Sequence, residues 1–200
     1  MAEDGSREFY GKVSGCLYHT KAKLVLMSGT PNLSLVDLFK LHHVKVTKIK
    51  ETKARVNISF TKAKTLDLAH EFAYEAVLEH GHDSVNFIYK KSVKECMKIA
   101  EMLKDEGFNA VVMTSLHKGE TTYKSISDIE EVPEGTQFVV TTNVISTGAN
   151  IQNTNVGGAL MLDEFSHQEI KQFTKRFRKK PNITVDVVNR PYLQSYNTLS

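Results

Sequence analysis

Short apolar runs closed by polar turns recur along the chain, separated by stretches whose apolar residues repeat every three or four positions. Residues 85–89 (VNFIY), 109–113 (NAVVM), 137–140 (QFVV), 158–162 (GALML) and 183–188 (ITVDVV) have the length and the β-branched or aromatic content of strands. Between them the spacing predicts helices. One runs over residues 65–80, capped by Thr65, with Leu66, Ala69, Ala73, Ala76 and Val77 as its apolar stripe and Gly81 as its stop. Ser92 caps a second, in which Val93, Cys96, Met97, Ala100 and Leu103 face inward before Gly107. The polar stretch 118–131 predicts a third, ending before Pro133. Ser166 caps a fourth, basic one reaching about residue 179 ahead of Pro181.

Strands alternating with helices at this spacing give an α/β fold, a parallel sheet with helices on both faces. Upstream, residues 24–27 (LVLM) form a fully apolar run of strand length, closed by Ser28, Gly29, Thr30 and Pro31. Such a strand needs neighbours on both edges, and nothing before it supplies a sheet. Residues 44–49 and 55–60 alternate in polarity and read as a hairpin or a pair of edge strands, with lysines suited to an exposed edge. These features set residues 1–62, an arm, an orphan strand and a hairpin, apart from a domain over residues 63–200.

The stretch 137–151, QFVVTTNVISTGANI, is where a site is expected: a buried strand that ends in Thr141, Thr142 and Asn143, followed by Ser146, Thr147 and Gly148. Ligands of open α/β sheets gather at the carboxyl ends of strands, and hydroxyls with a glycine there suit phosphate. The same residues also make an ordinary turn.

Composition narrows the partners. Two hundred residues with 40% hydrophobic content suffice for a packed core. A formal charge of +3 is too small to point to nucleic acid, yet charge is uneven, because KQFTKRFRKK (171–180) carries six cations and no acid. Phe173 and Phe177 within it, spaced i to i+4, are expected to pack inward rather than stack on bases. Cys16 and Cys96 have no motif spacing, which fits a reducing compartment, and His42, His43, His80 and His82 lack a second ligand cluster, so no metal site is expected. No run reaches the length of a membrane span and the first residues lack a signal-peptide core, so a soluble, cytoplasmic chain is expected.

Four segments, in order, resemble the second half of a superfamily 2 helicase, the RecA-like class that includes the DEAD-box nucleic-acid motors. LVLMSGTP resembles motif III, VNFIYKKSVKECMKIAEML motif IV, VVTTNVISTGANI motif V and QEIKQFTKRFRK motif VI. The resemblance covers residues 24–180 and implies a RecA-like C-terminal lobe. It implies backbone phosphate contacts to DNA or RNA from Thr141, Thr142 and Asn143, with Lys90 and Lys91 nearby, and such contacts carry no sequence readout. It places Gly148, Asn150 and Gln172 at the nucleotide, Asn150 standing where the family has Asp. In motif VI, Arg176 matches the first arginine, Lys175 takes the glycine position and Lys179 the second arginine, with Arg178 one place early. Arg176 and Arg178 are then the catalytic cations for a transferring phosphoryl group. Ser28, Gly29 and Thr30 would face the other lobe.

No Gly-x-x-x-x-Gly-Lys-Ser/Thr loop and no Asp-Glu-Ala-Asp type box occurs in the 200 residues. The resemblance therefore implies that ATP and Mg²⁺ are shared with an N-terminal RecA-like lobe, in cis or in trans, and that this chain alone does not hydrolyse ATP. The alternative is a non-enzymatic helicase-like module that binds nucleic acid or protein. A Rossmann-type enzyme ranks last, for want of Gly-x-Gly-x-x-Gly.

Overall fold

The computed structural model describes residues 54–163 and 165–189. Their strands are β1 (Arg55–Phe60), β2 (Val85–Tyr89), β3 (Ala110–Met113), β4 (Phe138–Thr141), β5 (Val156–Met161) and β6 (Thr184–Asn189). They form one sheet in the order β1-β6-β5-β2-β4-β3, and every neighbouring pair is parallel. A parallel sheet needs cover on both faces, and alternation within the strands supplies the apolar surface for it. On one face Ile88, Val140 and Leu160 pack with Ala69, Phe72, Ala73 and Ala76 of α1 (Thr65–His80) and with Cys96, Ile99, Ala100 and Leu103 of α2 (Val93–Asp105). On the other, Phe87, Tyr89, Val139, Ala159 and Met161 pack with Ile145 of α4 (Val144–Gly148) and with Ile170 and Phe173 of α5 (His167–Thr174). The expected α/β architecture is present.

Several expected details change. Thr65 is the first residue of α1 and is buried, the flanking position being Lys64 without a side-chain cap. On α1 Phe72 is buried and Leu66, expected to face inward, is exposed; on α2 Ile99 is buried and Met97, expected to face inward, is half exposed. The expected helix at 118–131 is broken: a 3₁₀ turn (Ser115–His117), the four-residue α3 (Thr121–Lys124) and a π turn (Ser125–Ile129) that ends at Glu130 in the left-handed region.

The basic helix is also shorter than predicted. α5 ends at Thr174, and Phe177 then pairs with Ile151. The Ile151 N–H donates to the Arg176 carbonyl at 2.7 Å and the Arg178 N–H donates to the Ile151 carbonyl at 3.0 Å. Those two bonds replace the helical ones that continuation would have formed, and they place Phe177 in the core against Phe87 and Phe173. Both phenylalanines pack inward, as expected.

At the opposite edge, Arg55–Phe60 runs parallel to β6, and Asn57 Nδ2 donates to Asp186 Oδ1 at 2.8 Å. Residues 24–31 and 44–49, with Ser28, Gly29 and Thr30, lie outside the described residues.

One glycine is required by close approach. A Cβ on Gly157 would lie 2.7 Å from the His80 ring and closer still to Asn86 Oδ1. Asn86 is fully buried, and its Oδ1 accepts from the Gly158 N–H at 3.0 Å while its Nδ2 donates to Ser84 Oγ at 3.0 Å. Gly157→Ala is thus expected to destabilise the domain by about 1–3 kcal/mol, the usual range for overpacking. Urea unfolding would show the loss as a lower midpoint at unchanged slope.

Candidate phosphate and nucleotide site

The carboxyl ends of β2, β4 and β5 lie side by side, because β2 is flanked by β4 and β5. They bring together the Tyr89-Lys90-Lys91, Thr141-Thr142-Asn143 and Met161-Leu162-Asp163 turns. Chain direction changes sides of β2 between β4 and β5, and crevices in open α/β sheets form at such points.

Thr141 is fully buried, and its hydroxyl donates to the Met113 carbonyl at 2.9 Å, with the Thr142 carbonyl 3.1 Å away. It closes the end of β4 against β3. Thr142 is buried as well, and of the three motif V residues Asn143 alone is exposed. Cys96 adds to this closure, its Sγ donating to the Lys90 and Thr141 carbonyls at 3.3 and 3.5 Å. Burial pushes its thiol up to about 12, which makes it an inert core residue.

Lys90 is buried, with Nζ 2.5 Å from Asp163 Oδ1 and 3.1 Å from Glu95 Oε2. The other Asp163 oxygen accepts from the Lys91 N–H at 2.7 Å. Lys91 Nζ stands 3.2 Å from Glu169 Oε1 and 4.8 Å from the centre of the Phe165 ring. Burial alone would raise the Glu169 carboxyl, but hydrogen bonds from Ser166 and the charge of Lys91 outweigh it and hold the group below its ordinary range. The Ser166 hydroxyl and Glu169 also form the capping box that starts α5. Both lysines therefore face carboxylates within the domain, which reduces the positive field they offer to an outside phosphate.

The ends of the two segments that resemble motifs V and VI meet through the Ile151–Phe177 pairing. Arg176 is half-buried, its Nη2 donates to the Ser146 carbonyl, and its Nε is buried with no acceptor. Among the described residues no carboxylate lies within ion-pair distance of it. Burial, and after it the charge of Arg178, lowers its pKa. Arg178 is exposed, and its Nε donates to Asn150 Oδ1 at 3.1 Å. Asn150 Nδ2 donates in turn to Glu130 Oε1 at 2.7 Å, and Gln152 Nε2 donates to Glu130 Oε2 at 2.9 Å. Hydrogen bonds from Gln152 and then Asn150 hold the Glu130 carboxyl below its ordinary value. This contribution is present above the ordinary carboxyl pKa and is lost as pH falls through the lowered one.

Gly148 is the last residue of α4 and Gln172 lies half-buried on α5. Asn150, Arg176 and Arg178 are thus brought together, whereas Lys90 and Lys91 are engaged in a separate ionic cluster. Asp163 and Glu130 had no assigned role in the sequence, since their partners come from other strands and turns. Among the described residues no group of three or more His, Cys, Asp or Glu side chains could hold a metal ion, and no helix is long and apolar enough to cross a membrane.

No family model matches the chain, and no curated protein matches it in sequence. Solved structures do match. T. fusca Cas3 with AMPPNP superposes with a TM-score of 0.54 at 11% identity, over 78% of this chain and 20% of that one. S. cerevisiae Dbp5 bound to Gle1 superposes with a TM-score of 0.55 at 14% identity, over 85% of this chain and 44% of that one. The fold is RecA-like. This agrees, at the level of fold, with the resemblance to superfamily 2 helicases. The chain spans less than half the length of the proteins it superposes on.

Proposed function

We propose that this chain is the C-terminal RecA-like lobe of an ATP-dependent superfamily 2 nucleic-acid helicase or translocase. The observation that carries the reading is Arg176, a half-buried cation with no carboxylate partner among the described residues, held in one orientation by the Ser146 carbonyl and left with an unsatisfied Nε. Leaving a charged donor of this kind without a partner is costly unless an anion completes it. A nucleotide phosphate shared with a first lobe fits that need, and Arg178 beside it adds a second fork. Bound ATP with Mg²⁺ would supply the transferable phosphoryl group and the metal charge, with the Walker elements contributed by the other lobe in cis or in trans. This chain's part is to hold Arg176 and Arg178 where negative charge develops.

Nucleic acid is assigned to the carboxyl ends of β2 and β4. Thr141 and Thr142 shape that surface from beneath and Asn143 presents it, so contacts go to backbone phosphates and not to base edges. Because Lys90 and Lys91 already face carboxylates, few counterions are released. The salt slope on a single strand should be shallow, about 0.7 for each phosphate neutralised. Asn143→Ala should weaken single-strand binding about fivefold, the value of one hydrogen bond, and Arg176→Ala should leave it nearly unchanged. Fluorescence anisotropy on a labelled single strand over a salt series measures both. Loss of binding and a flatter slope in Arg176→Ala would instead make the motif VI segment the nucleic-acid face.

A further inference from the structure

Glu130 is the only non-glycine residue with positive φ among the described residues, at φ 64° and ψ 22°. Glycine or asparagine adopts that conformation with less strain. A glutamate kept there points to a use for its carboxylate, because backbone strain of this kind persists where the surroundings over-determine it.

Both carboxylate oxygens accept from amide NH₂ groups, Oε1 from Asn150 at 2.7 Å and Oε2 from Gln152 at 2.9 Å. The Glu130 carbonyl also accepts from the Gln152 N–H at 2.8 Å. A carboxylate only accepts, so it fixes the Asn150 amide with Nδ2 toward Glu130 and Oδ1 toward Arg178. Flipping that amide would set NH₂ against the Arg178 N–H and oxygen against carboxylate, which is unfavourable at both ends. Arg178 is a like charge near Arg176, and the two repel. Asn150 carries no charge of its own; the carboxylate lies one contact further back.

We propose that Glu130 is a positioning residue of the phosphate site, which orients the Asn150 amide and so holds the Arg178 guanidinium beside Arg176. This rests on the reading of the two arginines as phosphate-facing, and it extends that site to a turn outside motifs V and VI. Glutamine at 130 can accept from only one of the two amides and must present NH₂ to the other. Glycine removes the carboxylate while easing the backbone.

The test is made on the full 200-residue chain labelled with ¹⁵N. Arginine Nε–Hε signals are followed by NMR, with Arg178→Lys to assign the Arg178 signal. In Glu130→Gln and in Glu130→Gly, Arg178 Hε should exchange with solvent about five- to tenfold faster, the loss of one hydrogen bond. Glu130→Gly should nevertheless be at least as resistant to urea as the parent. Unchanged Hε exchange in both variants would overturn the proposal and leave Glu130 a turn residue only. Inorganic tripolyphosphate, added as the anion probe, should shift the Arg176 and Arg178 signals of the parent, with a weaker Arg178 response in both variants. If the parent signals ignore tripolyphosphate, the phosphate reading fails, while the exchange rates still decide whether Glu130 positions Arg178.

Discussion

Arg176→Ala should lower ATP hydrolysis by about a thousandfold or more when this lobe works with an ATP-binding first lobe, the range seen for arginines that stabilise a transferring phosphoryl group. The guanidinium is anchored before any ligand arrives, through Nη2 on the Ser146 carbonyl, so little reorganisation is needed as charge develops. Arg176→Lys should not restore the rate, since an ammonium cannot hold the carbonyl and a phosphate oxygen in the same planar fork. Arg178→Ala should cost less, because its Nε bond goes to Asn150 and its side chain is exposed. Steady-state turnover of each variant checks the order. Equal losses in Arg176→Ala and Arg176→Lys with a smaller one in Arg178→Ala agree with it, and full activity in Arg176→Ala removes Arg176 from the reaction.

Phe177→Ala is expected to destabilise the domain by about 3–5 kcal/mol, the usual cost of truncating a buried phenylalanine. Its ring is almost wholly buried, with centroids 4.9 Å from Phe87 and 5.2 Å from Phe173 in edge-to-face geometry. The same residue carries the pairing with Ile151 that sets Arg176 and Arg178 on either side of it. A large cavity there should loosen both arginines along with the core. Thermal and urea unfolding measure the first effect, and a fall in tripolyphosphate response among molecules still folded measures the second. A loss below about 0.5 kcal/mol, the scale of a surface change, would mean that the ring is not the keystone of this face.

How much of this was legible in the sequence depends on how local the cause is. β2, β4 and β5 read directly as apolar runs because a strand of a parallel sheet is buried on both faces. The start of α5 was legible because Ser166 and Glu169 cap it within one turn. Its end was not. A basic, helix-compatible run continues to residue 180, and what stops the helix is a pair of backbone bonds to Ile151, a residue between α4 and β5. Lys90 and Lys91 read as surface cations at a strand end, yet Asp163, just after the neighbouring β5, neutralises the first and Glu169 from α5 meets the second. Glu130 gave no signal, since Asn150 and Gln152 become its partners only when the loop after β4 folds back on the π turn. Thr141 and Thr142 read as the polar end of a strand, but their burial is a property of the packed β3–β4 end and not of the letters TTN.

The most direct measurement is ATP turnover by this chain supplied with a first lobe encoded upstream of it or with it, in the presence and absence of a nucleic-acid strand. The proposal predicts no turnover by the 200-residue chain alone, because positioning and metal charge from the other lobe supply most of the catalysis of phosphoryl transfer. It predicts that turnover appears on combination, rises when the strand is added and vanishes with Arg176→Ala. Steady hydrolysis by the isolated chain, or a well-folded complex of the two lobes that binds the strand and never turns over ATP, would contradict it; the second result would mark the chain as a helicase-like binding module without catalysis.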